Sequence, residues 1–208
     1  MCNYVGNKRS GIVLRRYAND IAKELFRKVI HLCAAFIPFF LKYFYVPVLS
    51  LLSLVLVLYI IAEIIRYKGK TVPIFSVITQ AAARKRDENK FVLGPVTLSL
   101  GILITALCFD YTSASVGIYG LALGDGLASL VGKLFGRNII PFSQGKTAEG
   151  SLACFGAIFI STFLVTKSAF SALVIALIGM FIELFPLKDF DNLFIPIILG
   201  FVMQYLLP

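Results

Sequence analysis

Long apolar runs recur from residue 29 to the end of the chain, and they constrain the fold more than any other feature. A helix of about 20 apolar residues is long enough to cross the hydrocarbon core of a bilayer. Hydrophobic residues make up 59% of the 208 residues and charged residues only 15%, whereas roughly a quarter of a soluble domain is charged. The sequence therefore predicts an all-α, polytopic integral membrane protein, not a soluble enzyme with an anchor.

The apolar runs divide into about seven predicted transmembrane helices. Their approximate bounds are 29–45, 46–65, 91–109, 112–135, 151–166, 169–187 and 193–207. Several are shorter than about 20 residues, so we expect some helices to be broken, tilted or only partly inserted. The chain thus divides into a basic amphipathic N-terminal segment, 1–28, and a transmembrane domain, 29–208, that is expected to hold the functional site.

Basic residues predict the orientation of the spans, because cytoplasmic loops of membrane proteins carry an excess of lysine and arginine. With the N-terminus inside, 18 of the 20 basic residues lie on the cytoplasmic side, and only Lys42 and Lys167 lie outside. This asymmetry predicts a cytoplasmic N-terminus and a cytoplasmic loop 136–150. Because topology accounts for the net charge of +9, we expect the bilayer, and not nucleic acid, as the partner of the basic segments.

Two polar segments are predicted to lie along the inner leaflet. Leu14, Ala18 and Ile21 recur at helical spacing among basic residues, which is typical of an amphipathic helix attracted to anionic lipid. A solvated basic tail is the alternative. Segment 72–90 is predicted to form a cytoplasmic or interfacial helix followed by a charged turn.

The fourth predicted span carries an acid on a face of small residues. This face consists of Asp125, Ala128, Ser129, Gly132 and Gly136, which share one side of a helix. Glycines in a membrane helix usually permit close helix packing, but an unpaired carboxylate there costs several kcal/mol. We therefore expect Asp125 to face a polar cavity in which the glycines let a ligand approach the backbone.

The loop after this span ends in "SQGKTAEGS", which places Lys146, Thr147 and Glu149 just before the next helix. A Walker phosphate loop needs a glycine where Ile140 stands, and it follows a strand and not a helix, so that motif is excluded. The loop can still hold phosphate through its lysine and backbone N–H groups. Alternatively, Thr147 simply caps the next helix.

Further polar residues at the edges of the spans lie on the same predicted membrane face. They are Glu24, Arg27, Lys28, His31, Glu63, Arg66, Glu183, Lys188, Asp189, Asp191 and Asn192. Phosphoryl or nucleotidyl transfer needs carboxylates for a divalent metal, cations for phosphate oxygens, and a carboxylate or histidine near the acceptor hydroxyl. The set therefore predicts a site for a nucleotide and its metal that opens sideways to lipid.

The stretch "GDGLASLVGKLFGRNIIPFSQGKTAEGS" resembles the signature of the CTP-dependent lipid kinases: dolichol kinase, phytol kinase and CTP-dependent diacylglycerol kinase. It is also similar to the last motif region of the phosphatidate cytidylyltransferases. "ELFRKVIH", "FVLGPVTLSLG" and the pattern of Glu183, Asp191, Asn192 and Pro196 look like the kinase branch. The resemblance covers roughly residues 23 to 200. It implies an all-helical membrane fold, CTP as phosphoryl donor, Mg²⁺ or another divalent cation, and a lipid alcohol as acceptor.

The resemblance also implies a role for each matching residue. Asp125 becomes the leading metal-binding or catalytic carboxylate, and Asp191 completes the metal or base region together with Glu183. Arg27 and Lys28 neutralise charge from the N-terminal side. Nucleotide binding is implied for Ser129, Gly132, Gly136, Lys146, Thr147, Glu149 and Asn192.

Three functions remain open on the sequence. A kinase for polyprenol or dolichol, a phytol-type isoprenol or diacylglycerol is favoured. A phosphatidate cytidylyltransferase-like enzyme that makes a CDP-lipid is the first alternative, and it differs in releasing pyrophosphate and not CDP. A non-enzymatic membrane transporter is the second, but it would be expected to show inverted repeats and polar residues near the middle of the membrane.

Overall fold

The computed structural model describes residues 25–69 and 91–207, apart from positions 142 and 144. Within these residues the protein is helical, and the one β-type pairing is an isolated bridge between Ile139 and Thr147. The predicted amphipathic helix near the N-terminus and the predicted helix in 72–90 lie outside the described residues. The all-α fold class is confirmed for the described part of the chain.

Seven helical segments of the described chain correspond to the seven predicted spans. The first segment is α1 (25–33), which continues through a 3₁₀ turn at Ala34–Phe36 into α2 (Ile37–Tyr43). The fourth is α5 (Tyr111–Tyr119), which a π-helical turn at Gly120–Asp125 joins to α6 (Gly126–Phe135). The other five are single helices: α3 (Tyr45–Tyr67), α4 (Gly94–Cys108), α7 (Ala148–Thr166), α8 (Ala169–Leu184) and α9 (Asp191–Leu206). The last helix begins two residues before the predicted span. An acid such as Asp191 is favourable in a first helical turn.

Three helical stretches in the described part of the chain are long and apolar enough to cross a membrane. They are Tyr45–Tyr67, the continuous helix Tyr111–Phe135, and Ala148–Thr166. The helices α4, α8 and α9 are apolar but have only 15, 16 and 16 residues. The predicted shortness of several spans is therefore present in the structure.

The helices run back and forth between two ends of the bundle. Tyr45 at the start of α3 donates a hydrogen bond to the carbonyl of Ala106 near the end of α4, and the Asp110 N–H donates to Gln204 near the end of α9. We call the end of the bundle that holds these two hydrogen bonds the far end. At the opposite end, which we call the site end, Lys146 before α7 pairs with Glu183 at the end of α8.

The core is built around the π-helical turn between α5 and α6. Side chains from four helices pack there with no solvent exposure: Ile118, Leu121, Ile158, Ile175 and Leu199. A π-helical turn is rare and is found mostly near functional sites. Here the turn ends at Asp125, so the packing of the core fixes the position of this carboxylate along the bundle axis.

The start of α9 is held against α4 by an unusually close approach. Pro196 lies inside α9 and has no N–H to donate to the Asn192 carbonyl one turn earlier. A Cβ atom added to Gly101 of α4 would lie only 2.3 Å from this carbonyl oxygen. Glycine at 101 therefore lets α4 fix the first turn of α9, where Asp191 lies.

Candidate active site

Asp125 is the centre of a buried polar cluster that joins α1 to the π-helical turn. Its carboxylate oxygen Oδ2 lies 2.5 Å from Nζ of Lys28 and 3.1 Å from Nδ1 of His31. Lys28 also donates to the Asp125 backbone carbonyl, at 3.3 Å. All three residues are no more than 5% exposed. The acid of the fourth predicted span is therefore paired, which removes much of the cost of burying it.

A cavity of about 290 Å³ lies beside this cluster at the site end. Its walls come from α1, α6, the loop 136–147, α7, α8 and α9, so the cavity exists only in the assembled bundle. The lining residues are Arg27, Lys28, Asp125, Ala128, Ser129, Gly132, Lys133, Gly145, Lys146, Thr147, Gly150, Ser151, Glu183 and Asp191. Four cationic side chains and three carboxylates in one small cavity suit a phosphate-bearing ligand.

Nine of the twelve residues predicted for the site line this cavity. They are Arg27, Lys28, Asp125, Ser129, Gly132, Lys146, Thr147, Glu183 and Asp191. The other three, Gly136, Glu149 and Asn192, do not line it. Each of these three makes a contact that supports the walls.

Lys146 is held by the loop that precedes α7. The hydroxyl of Ser143 accepts a hydrogen bond from the Lys146 N–H and donates to the Ile140 carbonyl. Gly145 has a φ of +94°, in the left-handed region that favours glycine. The Lys146 ammonium then reaches across the cavity, 3.0 Å from Oε1 of Glu183 and 3.4 Å from the Phe185 carbonyl. The lysine thus bridges the loop to the end of α8.

Thr147 caps α7 and fills the glycine face of α6. Its Oγ1 accepts a hydrogen bond from the Gly150 N–H, at 3.2 Å, so the capping role considered for it is present in the structure. A Cβ atom on Gly136 would lie 2.6 Å from Cγ2 and 2.7 Å from Oγ1 of Thr147. Glycine at 136 therefore makes room for the Thr147 side chain, and its expected role in nucleotide binding stays a prediction.

Glu149 and Asn192 make hydrogen bonds outside the cavity that connect the elements forming its walls. Glu149 accepts hydrogen bonds from the side chain and the backbone N–H of Asn138, which ties the loop to the first turn of α7. The Asn192 side-chain amide lies 3.4 Å from the Gly94 carbonyl and from Oγ1 of Thr97, which ties α9 to α4. These contacts hold the loop and α9 beside the cavity, and the nucleotide contacts expected of both residues stay predictions.

The carboxylates of the cavity fit a magnesium ion that enters together with a nucleotide. Among the described residues, no three His, Cys, Asp or Glu side chains are grouped closely enough to hold a metal by themselves. Asp125, Glu183 and Asp191 nevertheless line the same cavity. Mg²⁺ usually keeps several waters and is bound by one or two carboxylates plus substrate phosphates, so this donor set is sufficient for it.

Sequence reasoning missed several residues that the structure brings to the site. Lys133, Gly150 and Ser151 line the cavity. His31, which the sequence placed only in the general set of polar residues at this membrane face, contacts Asp125. Ser151 follows Thr147 by four positions, one helical turn, so it shares a helix face with the cap. That spacing was the feature of the sequence that could have predicted Ser151 as a site residue.

Comparison with curated proteins finds plant kinases of isoprenoid alcohols. The chain is 26% identical to phytol kinase 1, chloroplastic, of Arabidopsis thaliana over 152 residues, which cover 66% of this chain and 46% of that protein. The chain is thus similar in sequence to the phytol kinases. It is also 29% identical to a probable phytol kinase, chloroplastic, of Triticum aestivum over 143 residues, which cover 58% of this chain and 46% of that one.

A farnesol kinase, chloroplastic, of Arabidopsis thaliana is 30% identical over 87 residues, which cover 40% of this chain and 28% of that protein. The proteins that this chain is similar to are thus named as kinases of isoprenoid alcohols, in agreement with the resemblance seen in the sequence. The chain spans about half the length of these two phytol kinases. No protein-family model matches it, and no solved structure does.

Proposed function

We propose that this phytol kinase relative is a CTP-dependent kinase that phosphorylates the hydroxyl of a membrane lipid alcohol. The observation that carries the proposal is the position of Asp125, which is paired with Lys28, contacts His31 and lines the same cavity as Lys146. An acid and a histidine near one side of a cation-rich cavity are the groups that phosphoryl transfer to an alcohol needs. The names of the relatives favour an isoprenoid alcohol such as phytol over diacylglycerol.

The proposal includes a membrane setting with seven spans, a cytoplasmic N-terminus and the cavity on the cytoplasmic side. Three helices long enough to cross a bilayer support it, as does the location of Lys28 and Lys146 at the site end, opposite Lys42 at the far end. In this setting the nucleotide enters from water. The lipid hydroxyl reaches Asp125 from the bilayer.

The residues of the cavity divide the chemistry between them. Arg27, Lys28 and Lys146 neutralise phosphate oxygens, and the pair of Asp125 and His31 accepts the proton of the lipid hydroxyl as its oxygen attacks the terminal phosphorus. The bond from that phosphorus to the bridging oxygen breaks, and CDP leaves. Asp125, Asp191 and Glu183 are the residues that would hold Mg²⁺, which when bound neutralises further phosphate charge. The burial of the cluster strengthens each of these electrostatic contacts.

The decisive experiment gives the purified protein CTP labelled at either the α- or the γ-phosphate, with phytol, farnesol, dolichol, diacylglycerol and phosphatidate as acceptors. Label from γ-phosphate in the lipid, with release of CDP, is the expected result. Label from α-phosphate in the lipid, with release of pyrophosphate, would instead make the protein a cytidylyltransferase of the phosphatidate type. Parallel reactions with ATP test the donor, since transfer from ATP alone would overturn CTP dependence.

A further inference from the structure

Ser151 is a buried serine in the wall of the cavity, one helical turn after the cap of α7. It is only 6% exposed, and its hydroxyl oxygen has no hydrogen-bond partner among the described residues. Two neighbouring hydroxyls are hydrogen-bonded, since Thr147 accepts from the Gly150 N–H and Ser143 donates to the Ile140 carbonyl. A buried polar group without a partner lowers stability, so a native protein that keeps one at a cavity wall is expected to use it for a ligand.

The packing of α6 against α7 places Ser151 between the two halves of the site. Gly150 packs against the backbone carbonyl of Ala128, and Gly124 packs against Cys154 and Ile158 further along α7. The two helices therefore run antiparallel, and Ser151 lies at a level between Ala128 and Asp125. Lys146 lies on the loop side of Ser151, and Asp125 on the side of the core.

The backbone amides at the start of α7 do not compete with the Ser151 hydroxyl as hydrogen-bond donors to a ligand. The Ala148 N–H donates to the Asn138 carbonyl, the Gly150 N–H to Thr147 Oγ1, and the Ser151 N–H to the Thr147 carbonyl. These amides are already bonded within the protein. A phosphate between Lys146 and Asp125 can therefore accept a hydrogen bond from the Ser151 hydroxyl, and not from these amides.

We propose that the Ser151 hydroxyl donates a hydrogen bond to the terminal phosphate of the nucleoside triphosphate, the group that is transferred. This proposal rests on the proposed function. It assigns the phosphate chain a direction in the cavity, from Lys146 toward Asp125, with Ser151 at the phosphorus that the lipid hydroxyl attacks. A nucleoside diphosphate lacks this group, so Ser151 distinguishes the substrate CTP from the product CDP.

The test compares Ser151→Ala with Ser151→Thr, which keeps the hydroxyl. Ser161→Ala is the matched control, because Ser161 lies on the same helix and its hydroxyl donates to the Ile158 carbonyl. Affinities for CTP and CDP are measured by titration without lipid alcohol, together with the thermal midpoint. In Ser151→Ala we expect CTP affinity to fall roughly 10- to 100-fold, as on loss of a hydrogen bond to a charged group. CDP affinity and the thermal midpoint should not fall, and Ser151→Thr should retain CTP binding.

Three results would overturn the proposal. Unchanged CTP affinity in Ser151→Ala would show that the hydroxyl does not contact the nucleotide. Equal losses for CTP and CDP would place the contact away from the terminal phosphate, and a lowered thermal midpoint would show a structural role. Wild-type protein that binds neither CTP nor ATP would overturn the proposed function itself, and this inference with it.

Discussion

Lys28 and Asp125 form a buried ion pair across 97 positions of the chain, with Nζ 2.5 Å from Oδ2. The pair ties α1 to the end of the π-helical turn, and it also forms one wall of the cavity. Removing one member of a buried ion pair leaves an uncompensated charge, whereas replacing both with neutral side chains is often tolerated. Stability and catalysis at this pair can therefore be separated by mutation.

The first prediction concerns the Asp125→Asn variant. We expect it to lose phosphorylation of lipid by several orders of magnitude, because an amide cannot accept the proton or bind a divalent metal as a carboxylate does. We also expect it to be less stable by about 3–5 kcal/mol, because Lys28 loses its partner. Initial rates and thermal unfolding in detergent measure the two effects.

The double variant Lys28→Met with Asp125→Asn is the control for this prediction. It should regain most of the lost stability, because no charge is left unpaired, and it should stay inactive. An Asp125→Asn protein that phosphorylates lipid at a rate near that of the wild type would contradict the proposed site.

The second prediction concerns Lys146. Lys146→Ala should raise the KM for CTP by about tenfold or more, because the contact of a charged donor with phosphate is lost. The same change removes the partner of Glu183, a carboxylate that is 7% exposed. We therefore expect a loss of stability that Glu183→Gln, added to Lys146→Ala, reverses without restoring CTP use.

Lys68→Ala is the matched control, because Lys68 is an exposed lysine at the end of α3 that does not line the cavity. It should leave both the KM and the thermal midpoint unchanged. If Lys146→Ala behaves like Lys68→Ala in CTP kinetics, the loop before α7 serves only to cap that helix.

The third prediction tests the close approach of α4 to α9. Gly101→Ala should destabilise the protein by about 1–3 kcal/mol, because the new methyl group would overlap the Asn192 carbonyl. Activity should also fall, since the first turn of α9 positions Asp191. Thermal unfolding and initial rates check both effects.

Gly156→Ala on α7 is the comparison, because no heavy atom lies within 4 Å of the added Cβ. It should be neutral or should stabilise the helix by up to about 1 kcal/mol. Equal effects of the two substitutions would rule out the close helix contact as the reason for glycine at 101.

The fourth prediction concerns membrane orientation. In a background with the four native cysteines replaced, Lys167→Cys should react with an impermeant maleimide added outside right-side-out vesicles. Arg137→Cys should react only after the vesicles are opened. Both positions are exposed in the structure, so a lack of labelling would reflect the membrane and not burial. The opposite pattern would place the cavity outside the cell or organelle.

Much of the architecture was predictable from the sequence because its cause is local. An apolar run long enough to cross a bilayer forms a helix there, because its backbone groups must be hydrogen-bonded within the segment. Thr147 caps α7 by accepting a hydrogen bond from the N–H three residues later. The position of the site at one end of the bundle was also predictable. Charged side chains are costly inside a bilayer, so Arg27, Lys146 and Asp191 were expected near one membrane face, and they line one cavity.

Only the tertiary structure decided which of these side chains meet. Glu149 and Asn192 both carry the right chemistry for a nucleotide. The fold of the loop before α7 brings Asn138 to Glu149, and the relative register of the packed helices brings Asn192 to α4. The same register leaves the Ser151 hydroxyl without a partner at the cavity wall. The pairing of Lys28 with Asp125 likewise depends on α1 packing beside the π-helical turn. Hydrophobic periodicity identifies each helix and its faces, whereas the contact between two faces depends on how all the helices fill space together.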